Sequence, residues 1–359
     1  MIRIVRRTSI SVTIVMAIAV VPMVVFAAGG LSNGAKPPPG SSHGPKRTPA
    51  PTVVTTPVPT PTAAPTPVIT APPTLPPTLP PTAPPTAPPT APPSVVLVGA
   101  GDIASCASTG DEATANLLDG IGGTVFTLGD NVYDNGTATE FTDCYGPSWG
   151  RASIKSRTRP TSGNHDYNTA GATGYFGFFG AAAGDPTKGY YAYDAGAWRV
   201  YVLNSNCSII ACTAGSAQEQ WLRSDLAANP RACVMAMWHH PRFSSGSQHG
   251  SSTATQALWQ ALYDYNADIV LTGHEHNYER FQPMTATGVV DSARGLVEWV
   301  VGTGGRSHYG FGTILSSSLL RNSDTYGVIK FTLAASSWSF TFVPEAGKSF
   351  TDSGSGTCH

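Results

Sequence analysis

From Ser94 onward, short apolar runs alternate with segments whose apolar residues recur at helical spacing. A short apolar run between glycines or polar residues is typical of a buried strand. The pattern predicts strands at residues 94–103, 124–133, 232–238, 268–272 and 297–302, a hairpin at 190–205, and further strands within 328–343. It predicts helices at residues 111–121, 216–228 and 253–265, with Ser216 and Glu219 as a capping box. This alternation, which drifts to strands at the end, favours an α/β fold.

The first 30 residues have the pattern of an export signal. Three arginines lie within the first seven residues, and residues 8–28 contain no charged side chain. A basic start followed by an apolar segment is typical of a signal peptide. The uncharged segment is also about as long as the roughly 20 residues that span a bilayer. The sequence therefore predicts export to the cell surface or the extracellular space, and both a cleaved signal peptide and an uncleaved signal anchor stay open for residues 1–30.

Residues 31–94 are dominated by Pro, Thr, Ala and Gly. Such a segment cannot bury apolar surface and has few backbone N–H donors, which favours the extended polyproline II conformation. We interpret it as a disordered linker that tethers the catalytic domain at residues 95–359 to a membrane or a cell wall. A role as a ligand for a proline-recognising domain is the alternative.

Charge is unevenly distributed along the chain. All 22 acidic residues lie after residue 100, together with fifteen of the 21 basic residues, so the globular part has a net charge of −7. A protein that binds duplex nucleic acid would instead present a basic face. We therefore do not expect a nucleic-acid partner.

The six cysteines all lie in the globular part, and none belongs to a CxxC pair. In an exported protein, an even number of cysteines predicts disulfides rather than a zinc site. We favour the pair Cys207–Cys212, which is close enough to close one loop, together with Cys106–Cys144 and Cys233–Cys358.

Five short polar motifs occur in order along the chain at the ends of predicted strands. They are Gly101-Asp102, Gly129-Asp130-Asn131-Val132-Tyr133, Gly163-Asn164-His165-Asp166, His239-His240-Pro241 and Gly273-His274-Glu275-His276. Each motif alone is typical of an ordinary turn. In α/β folds, however, ligands bind at the carboxyl ends of strands, and a neighbouring glycine allows the backbone to turn a side chain into that crevice. We therefore expect the five motifs to form one site.

The donor types in these motifs suit two hydrolytic metal ions. Carboxylates and a phenolate are hard anionic donors, whereas imidazole and an amide oxygen suit a softer divalent ion. Two metal ions about 3.5–4 Å apart can hold a phosphate, activate water and stabilise an in-line displacement.

The order of the motifs resembles that of the purple acid phosphatases, a branch of the calcineurin-like metallophosphoesterase superfamily. The segment GHEHNYER at residues 273–280 is similar to the final motif of that family, and Tyr133 stands where the family has its diagnostic tyrosine. The resemblance covers roughly residues 96–345. It implies an α/β fold of the metallophosphoesterase type, a sandwich of two mixed β-sheets flanked by helices (αββα).

The resemblance also implies which residues hold the two metal ions. Fe(III) is expected at the first position, held by Asp102, Asp130, Tyr133 and His276. Zn, Fe or Mn is expected at the second, held by Asp130, Asn164, His239 and His274, so that Asp130 is shared.

Two further histidines are implied to be catalytic. His165 follows the asparagine ligand, and His249 lies ten residues after His239. We expect them to contact the phosphate or to assist the leaving group by acid catalysis. Gln248 departs from the family pattern, because some relatives have a histidine there.

The polar neighbours of these residues receive structural interpretations. We expect Asp166 to orient its loop or a ligand imidazole, and Glu275 to face away from the site. We expect His240 to be structural and His308 to be merely exposed. Glu279 and Arg280 are also interpreted as structural.

The implied function is that of an exported dimetal phosphoesterase, in which a metal-activated hydroxide hydrolyses small phosphate monoesters. One alternative is a cell-surface phosphodiesterase or nucleotidase on the same core. Another is a non-catalytic surface module whose metal site is structural, and a third is a tethered binding protein whose function lies in residues 31–94.

Overall fold

The structure, a computed structural model, describes residues 93–359. The export segment predicted at residues 1–30 and nearly all of the linker predicted at residues 31–94 lie outside the described residues. Within residues 93–359, none of the helices has the length and the apolarity needed to cross a bilayer.

The described residues form two large sheets, a small two-stranded sheet and six α-helices. The strands are β1 Val95–Ala100, β2 Ala104–Ser105, β3 Thr124–Thr127, β4 Val132–Tyr133, β5 Thr158–Arg159, β6 Tyr191–Ala195, β7 Trp198–Val202, β8 Val234–Met237, β9 Ile269–Thr272, β10 Tyr278–Phe281, β11 Val297–Val301, β12 Ser318–Asn322, β13 Gly327–Leu333, β14 Ser337–Pro344 and β15 Ser353–Thr357. The helices are α1 Gly110–Gly120, α2 Ala138–Glu140, α3 Ala152–Lys155, α4 Thr173–Phe179, α5 Ala217–Ala228 and α6 Gln256–Asp264. A π-helix at Phe141–Tyr145 and 3-10 helices at Asp166–Asn168, Ala170–Ala172 and Gly180–Ala183 complete the set.

Both large sheets are mixed. The six-stranded sheet has the order β15-β14-β13-β1-β3-β5, and its strands β1, β3 and β5 are parallel. The seven-stranded sheet has the order β12-β10-β11-β9-β8-β7-β6, and its strands β7, β8, β9 and β11 are parallel. The remaining pairings are antiparallel. Strands β2 and β4 form the small parallel sheet.

Alternate residues of the central strands divide the apolar core into two layers. In β8, Met235 and Met237 pack with residues of both large sheets, whereas Val234 and Ala236 pack with α5 and α6. Because successive side chains of a strand point to opposite faces, one layer lies between the sheets and the other beneath these helices. Helix α1 contacts β13 of the six-stranded sheet. The predicted sandwich of two mixed sheets flanked by helices is confirmed.

The three predicted helices correspond to α1, α5 and α6. Helix α5 begins as the sequence predicts, because the Ser216 hydroxyl accepts a hydrogen bond from the Glu219 N–H at 3.3 Å. The Glu219 carboxylate accepts from the N–H of Gly215, 3.0 Å away, and not from that of Ser216, so the predicted capping box is only half formed.

The strand predicted at residues 124–133 is wrong in its extent. Strand β3 ends at Thr127, and Val132–Tyr133 pairs separately with Ala104–Ser105. The break occurs because Gly129 and Asp130 have positive φ angles, 83° and 48°, which extended structure does not allow. The elements that were not predicted are strands β2, β5, β10, β12 and β15 and helices α2, α3 and α4.

All three predicted disulfides are present. They join Cys106 to Cys144, Cys207 to Cys212 and Cys233 to Cys358, and no cysteine in residues 93–359 is free. The last pair connects the start of β8 with the C-terminal residues. Such a set is typical of a protein that matures in an oxidising compartment.

Candidate metal centre

The five polar motifs meet where the carboxyl ends of strands from both large sheets face one another. Three motifs follow β1, β3 and β5 of the six-stranded sheet, and two follow β8 and β9 of the seven-stranded sheet. The structure brings all seven predicted ligand residues together in this crevice.

Three of these residues adopt left-handed backbone conformations themselves. The φ angles of Asp102, Asp130 and His274 are 60°, 48° and 70°. Such conformations cost about 1–3 kcal/mol each for a residue with a side chain. The expectation that the adjacent glycine provides the turn is therefore wrong at Asp102 and His274, whereas Gly129, beside Asp130, has a positive φ angle of 83° itself.

The glycines of two motifs instead provide space. A Cβ atom on Gly163 would overlap the Asp130 carboxylate, and a Cβ atom on Gly273 would lie 2.6 Å from Oδ2 of Asp102. Neither glycine has a positive φ angle. They are required because the carboxylates approach the backbone closely.

Three donor atoms surround the hydroxyl oxygen of Tyr133. This oxygen lies 2.9 Å from Oδ1 of Asp102, 3.1 Å from Oδ2 of Asp130 and 3.1 Å from Nε2 of His276. All four side chains are at least 96% buried. They are the four residues expected to hold the first metal ion.

A second group of donor atoms converges on Nε2 of His239. Oδ1 of Asn164 and Nδ1 of His274 each lie 3.1 Å from this nitrogen, and Oδ2 of Asp130 lies 3.3 Å from it. The same oxygen of Asp130 therefore belongs to both groups. This arrangement matches the shared role that the resemblance implies for Asp130.

Hydrogen bonds fix which nitrogen of His239 faces the centre. Its Nδ1 lies 2.7 Å from the carbonyl oxygen of Leu128, and a carbonyl can only accept. Nδ1 therefore carries a proton, which leaves Nε2 as the nitrogen that can bind a metal ion.

The buried ionisable groups of the site shift one another's pKa values. Burial raises the pKa of the Tyr133 hydroxyl well above its usual range, and the negative charges of Asp102 and Asp130 add to this effect. Burial also opposes ionisation of Asp130, but the charge of His239 outweighs it and lowers the pKa of that carboxyl. Burial lowers the pKa of His239, whereas Asp130 raises it, with a net value of about 9.

The donor set fits two metal ions. Asp102 and Asp130 are 0% and 1% exposed, and buried carboxylates are costly unless they are paired or coordinate a metal. Ligand atoms of Asp102, Asp130 and His239 lie within 4.8 Å of one another, and so do those of His239, His240 and His274. A bound cation reverses the local preference for protonated groups, so it would favour the phenolate of Tyr133.

The family profile described as calcineurin-like phosphoesterase matches residues 96–278, just over half of the chain. The chain belongs to the calcineurin-like phosphoesterase family. The matched segment contains all seven predicted ligands. The chain is thus similar to metal-dependent phosphoesterases in sequence as well as in the arrangement of its polar residues.

Curated relatives include purple acid phosphatases. An uncharacterized protein of Mycobacterium tuberculosis is 29% identical over 185 residues, which cover 41% of this chain and 35% of the relative. Purple acid phosphatase 15 of Arabidopsis thaliana is 34% identical over 103 residues, which cover 27% of this chain and 19% of the relative. The chain thus spans about a third or less of the length of these relatives.

Solved structures share the fold at low sequence identity. A purple acid phosphatase from yellow lupin (Lupinus luteus) seeds superposes with a TM-score of 0.62 at 20% identity, over 73% of this chain and 53% of that chain. GAP50, the anchor in the inner membrane complex of Plasmodium, superposes with a TM-score of 0.57 at 15% identity, over 72% of this chain and 88% of that chain.

His165 lies at the rim of the candidate metal centre. Its backbone N–H donates to Oδ1 of Asp130 at 2.8 Å, and its ring lies 4.4 Å from that of Tyr133. Nδ1 lies 2.6 Å from the carbonyl oxygen of Asp134 and therefore carries a proton. Nε2, 3.9 Å from Oδ2 of Asp130, is the nitrogen that remains for a substrate.

His249 is exposed and lies beside the predicted ligand His274. Its ring stacks on that of His274, with centroids 4.0 Å apart and an interplanar angle of 29°. The adjacent Gln248 is also exposed. The structure thus places both predicted catalytic histidines against predicted ligands.

The neighbouring polar residues have defined partners. Asp166 orients the loop backbone, since it accepts from the N–H of Gly163 at 2.8 Å and from the side chain of Asn131 at 2.9 Å. Burial raises its pKa to about 7. His308 is not merely exposed, because it is half-buried and stacks on Tyr326 with centroids 4.1 Å apart.

His240 is held by Ser205, a residue that the sequence analysis missed. The Ser205 hydroxyl accepts from the backbone N–H groups of His239 and His240 at 3.2 and 3.0 Å, and lies 2.8 Å from Nδ1 of His240. Burial lowers the pKa of His240 to about 3. No local signal marks Ser205, because it follows β7 and meets His240 only through the parallel pairing of β7 with β8.

Two further residues of the rim were also missed. Tyr309 stacks on His276, with ring centroids 3.9 Å apart. Arg306 lies over the ring of Tyr133 at 5.1 Å and forms an ion pair with Asp134 at 3.1 Å. Both belong to the glycine-rich segment after β11, whose sequence carries no recognisable ligand spacing.

Proposed function

We propose that the chain is an exported dimetal phosphoesterase that hydrolyses phosphate monoesters. The observation that supports this proposal is the convergence of seven side chains into two donor groups that share one carboxylate oxygen, Oδ2 of Asp130. A turn-forming role alone would not require such a set of buried donors.

Each donor group is proposed to hold one metal ion. Fe(III) suits the first group, because two carboxylates and a phenolate are hard anionic donors. Zn, Fe or Mn suits the second group, which offers two imidazoles, an amide oxygen and the shared carboxylate. When bound, the two ions would neutralise the phosphate and activate water for an in-line displacement.

The two rim histidines are proposed to act on the substrate. His165 holds one proton at Nδ1 through Asp134, so a second proton at Nε2 would make it a donor to the leaving oxygen. His249 presents an exposed imidazole beside His274 and is proposed to contact the phosphate.

We infer that the domain acts outside the cell or at the cell surface. The three disulfides favour maturation outside a reducing compartment, in agreement with the export pattern of residues 1–30. Residues 31–94 are proposed to act as a spacer between the domain and a cell surface.

A non-catalytic role is the second candidate, because GAP50 shares the fold and is an anchor. The fold alone therefore does not decide the activity. The intact donor set favours catalysis, since a purely structural metal site would not need the two histidines at its rim.

Rates on paired substrates test the proposed reaction. We expect the purified chain to hydrolyse p-nitrophenyl phosphate much faster than bis(p-nitrophenyl) phosphate. The reverse preference would assign it to phosphodiesters. Hydrolysis of neither substrate by metal-loaded protein would favour the non-catalytic candidate.

A further inference from the structure

The loop that carries His249 is held by three buried glutamates. This 242–250 loop follows the predicted ligand His239 and contains no helix or strand. Five of its backbone N–H groups donate to the carboxylates of Glu275, Glu279 and Glu298, all of which are 0% exposed. The loop is therefore fixed by side chains from the neighbouring strands.

Each glutamate holds a different part of the 242–250 loop. Glu298 accepts from Arg242 at 3.0 Å and from Phe243 at 2.9 Å. Glu279 accepts from Ser245 at 2.7 Å, and Glu275 accepts from His249 at 2.5 Å and from Gly250 at 2.6 Å.

The three glutamates lie close together in the sheet. Glu279 and Glu298 belong to β10 and β11, and Glu275 follows β9, so all three come from adjacent strands of the seven-stranded sheet. Burial of a carboxyl group is costly unless it is hydrogen-bonded, and the N–H donors of the loop supply such bonds to all three side chains. Such a loop loses little freedom when a substrate binds.

Glu275 differs from the other two because it lies between two predicted ligands, His274 and His276. Its Oε1 accepts both N–H groups at the end of the loop, and its other oxygen has no hydrogen-bond partner within residues 93–359. A Cβ atom on Gly246 would overlap the Glu275 carboxyl group. The loop backbone is thus packed directly against this side chain.

We propose that Glu275 is a positioning residue that holds the imidazole of His249 over the metal centre. The tripeptide His274-Glu275-His276 then serves two purposes: its histidines hold the metal ions, and its glutamate fixes the histidine that contacts the substrate. The stacking of His249 on His274 at 4.0 Å completes the contact. This inference rests on the proposed function, which assigns the phosphate contact to His249.

A double-mutant cycle in the full chain tests this role. Glu275→Gln, His249→Ala and the double variant are compared by kcat, KM and metal content with p-nitrophenyl phosphate. We expect His249→Ala to lower kcat/KM by at least about tenfold, and Glu275→Gln to lower it by a smaller factor with both metal ions retained. The double variant should be no slower than His249→Ala, since a residue that acts through His249 has no effect once the imidazole is gone.

Glu298→Gln is the matched control. It makes the same substitution at another buried glutamate of this loop, one that accepts from Arg242 and Phe243 instead of His249 and Gly250. Any decrease in kcat/KM that Glu298→Gln causes should be the same factor in the wild-type and His249→Ala backgrounds. The proposal would be overturned if Glu275→Gln lowered kcat/KM by the same factor in the His249→Ala background as in wild type. It would also be overturned if Glu275→Gln and Glu298→Gln showed equal interaction energies with His249→Ala.

Amide hydrogen exchange provides a readout that does not depend on activity. Exchange at His249 and Gly250 should accelerate in Glu275→Gln, whereas exchange at Arg242 and Phe243 should not. If Glu275→Gln loses metal or fails to fold, Glu275→Asp, which keeps the charge, takes the place of Glu275→Gln in the same cycle. A wild-type chain without hydrolysis would contradict the proposed function, whereas an active wild type with an additive cycle would contradict this inference alone.

Discussion

Tyr133 is the residue on which the identity of the first metal ion depends. Its hydroxyl lies within 3.1 Å of the donor atoms of Asp102, Asp130 and His276. In the absence of a cation, burial and the two carboxylates keep it protonated, because they raise its pKa. Only a strongly acidic ion would convert it to the phenolate.

Replacing Tyr133 with Phe should therefore remove the colour of the iron-loaded protein. A phenolate bound to Fe(III) gives a violet to pink charge-transfer band, whereas zinc has a full d shell and gives none. The visible spectra of the oxidised wild type and of Tyr133→Phe would be compared. Tyr309→Phe is the matched control, since Tyr309 stacks on His276 but is not a predicted ligand, and it should keep the band. A colourless wild type with stoichiometric iron would show that Tyr133 is not a ligand.

Helix α5 shows an element whose start is determined locally. The Ser216 hydroxyl accepts from the Glu219 N–H, and this bond satisfies one of the free N–H groups at the helix start.

Ser216→Ala should therefore lower the free energy of unfolding by about 1 kcal/mol. Ser224→Ala is the matched control, because Ser224 is exposed within the same helix and alanine has the higher helix propensity. We expect this control to be neutral or slightly stabilising in denaturant unfolding. Equal losses for both variants would contradict the capping role.

Elements held by local signals could be predicted from the sequence, whereas those held by distant partners could not. The buried runs of β1, β8 and β9 and the cap of α5 are local features. Strand β10 was not predicted because it contains the charged residue Glu279. Glu279 is buried through hydrogen bonds with Ser245 and Ser318, which lie 34 and 39 residues away. Strand β15, Ser-Gly-Ser-Gly-Thr, has little strand propensity, and it forms because Phe340 and Trp338 pack over Gly354 and Gly356.

More of the candidate site than of the fold could be predicted from the sequence. Its seven residues occur in short motifs at strand ends, and the order of those motifs carries the resemblance. The contacts of Ser205 and Glu275 could not be predicted, because they join segments 34 and 26 residues apart. Sequence alone gives the type of donor but not the side chains that hold it in place.

At the scale of the whole molecule, buried carboxyls link stability to pH. Burial raises the pKa of Glu298 to about 8, from an ordinary value of 4.5, although hydrogen bonds from Phe243 and Arg242 oppose the shift. The folded state therefore binds a proton at Glu298 more tightly than the unfolded state. Its contribution to stability is fully present below pH 4.5 and is lost as the pH rises through about 8.

Glu298→Gln should reduce this pH dependence, because the neutral amide resembles the protonated acid. In metal-free protein, the stability of the variant relative to wild type should increase between pH 5 and pH 8. Thermal unfolding of both proteins across this range measures the effect. Parallel curves would show that the Glu298 carboxyl does not titrate in this range.

Seven side chains are proposed to hold two metal ions, and hydrolysis is proposed to depend on these ions. The most direct test is to count metal ions per chain and to measure the hydrolysis of p-nitrophenyl phosphate on the same samples. Asn164→Ala is compared with wild type, and Asn229→Ala, at the end of α5, is the control. We predict two ions per chain for wild type and for Asn229→Ala, and close to one ion with most hydrolysis lost for Asn164→Ala. Unchanged hydrolysis by a metal-free chain, or two ions and full activity in Asn164→Ala, would contradict the account.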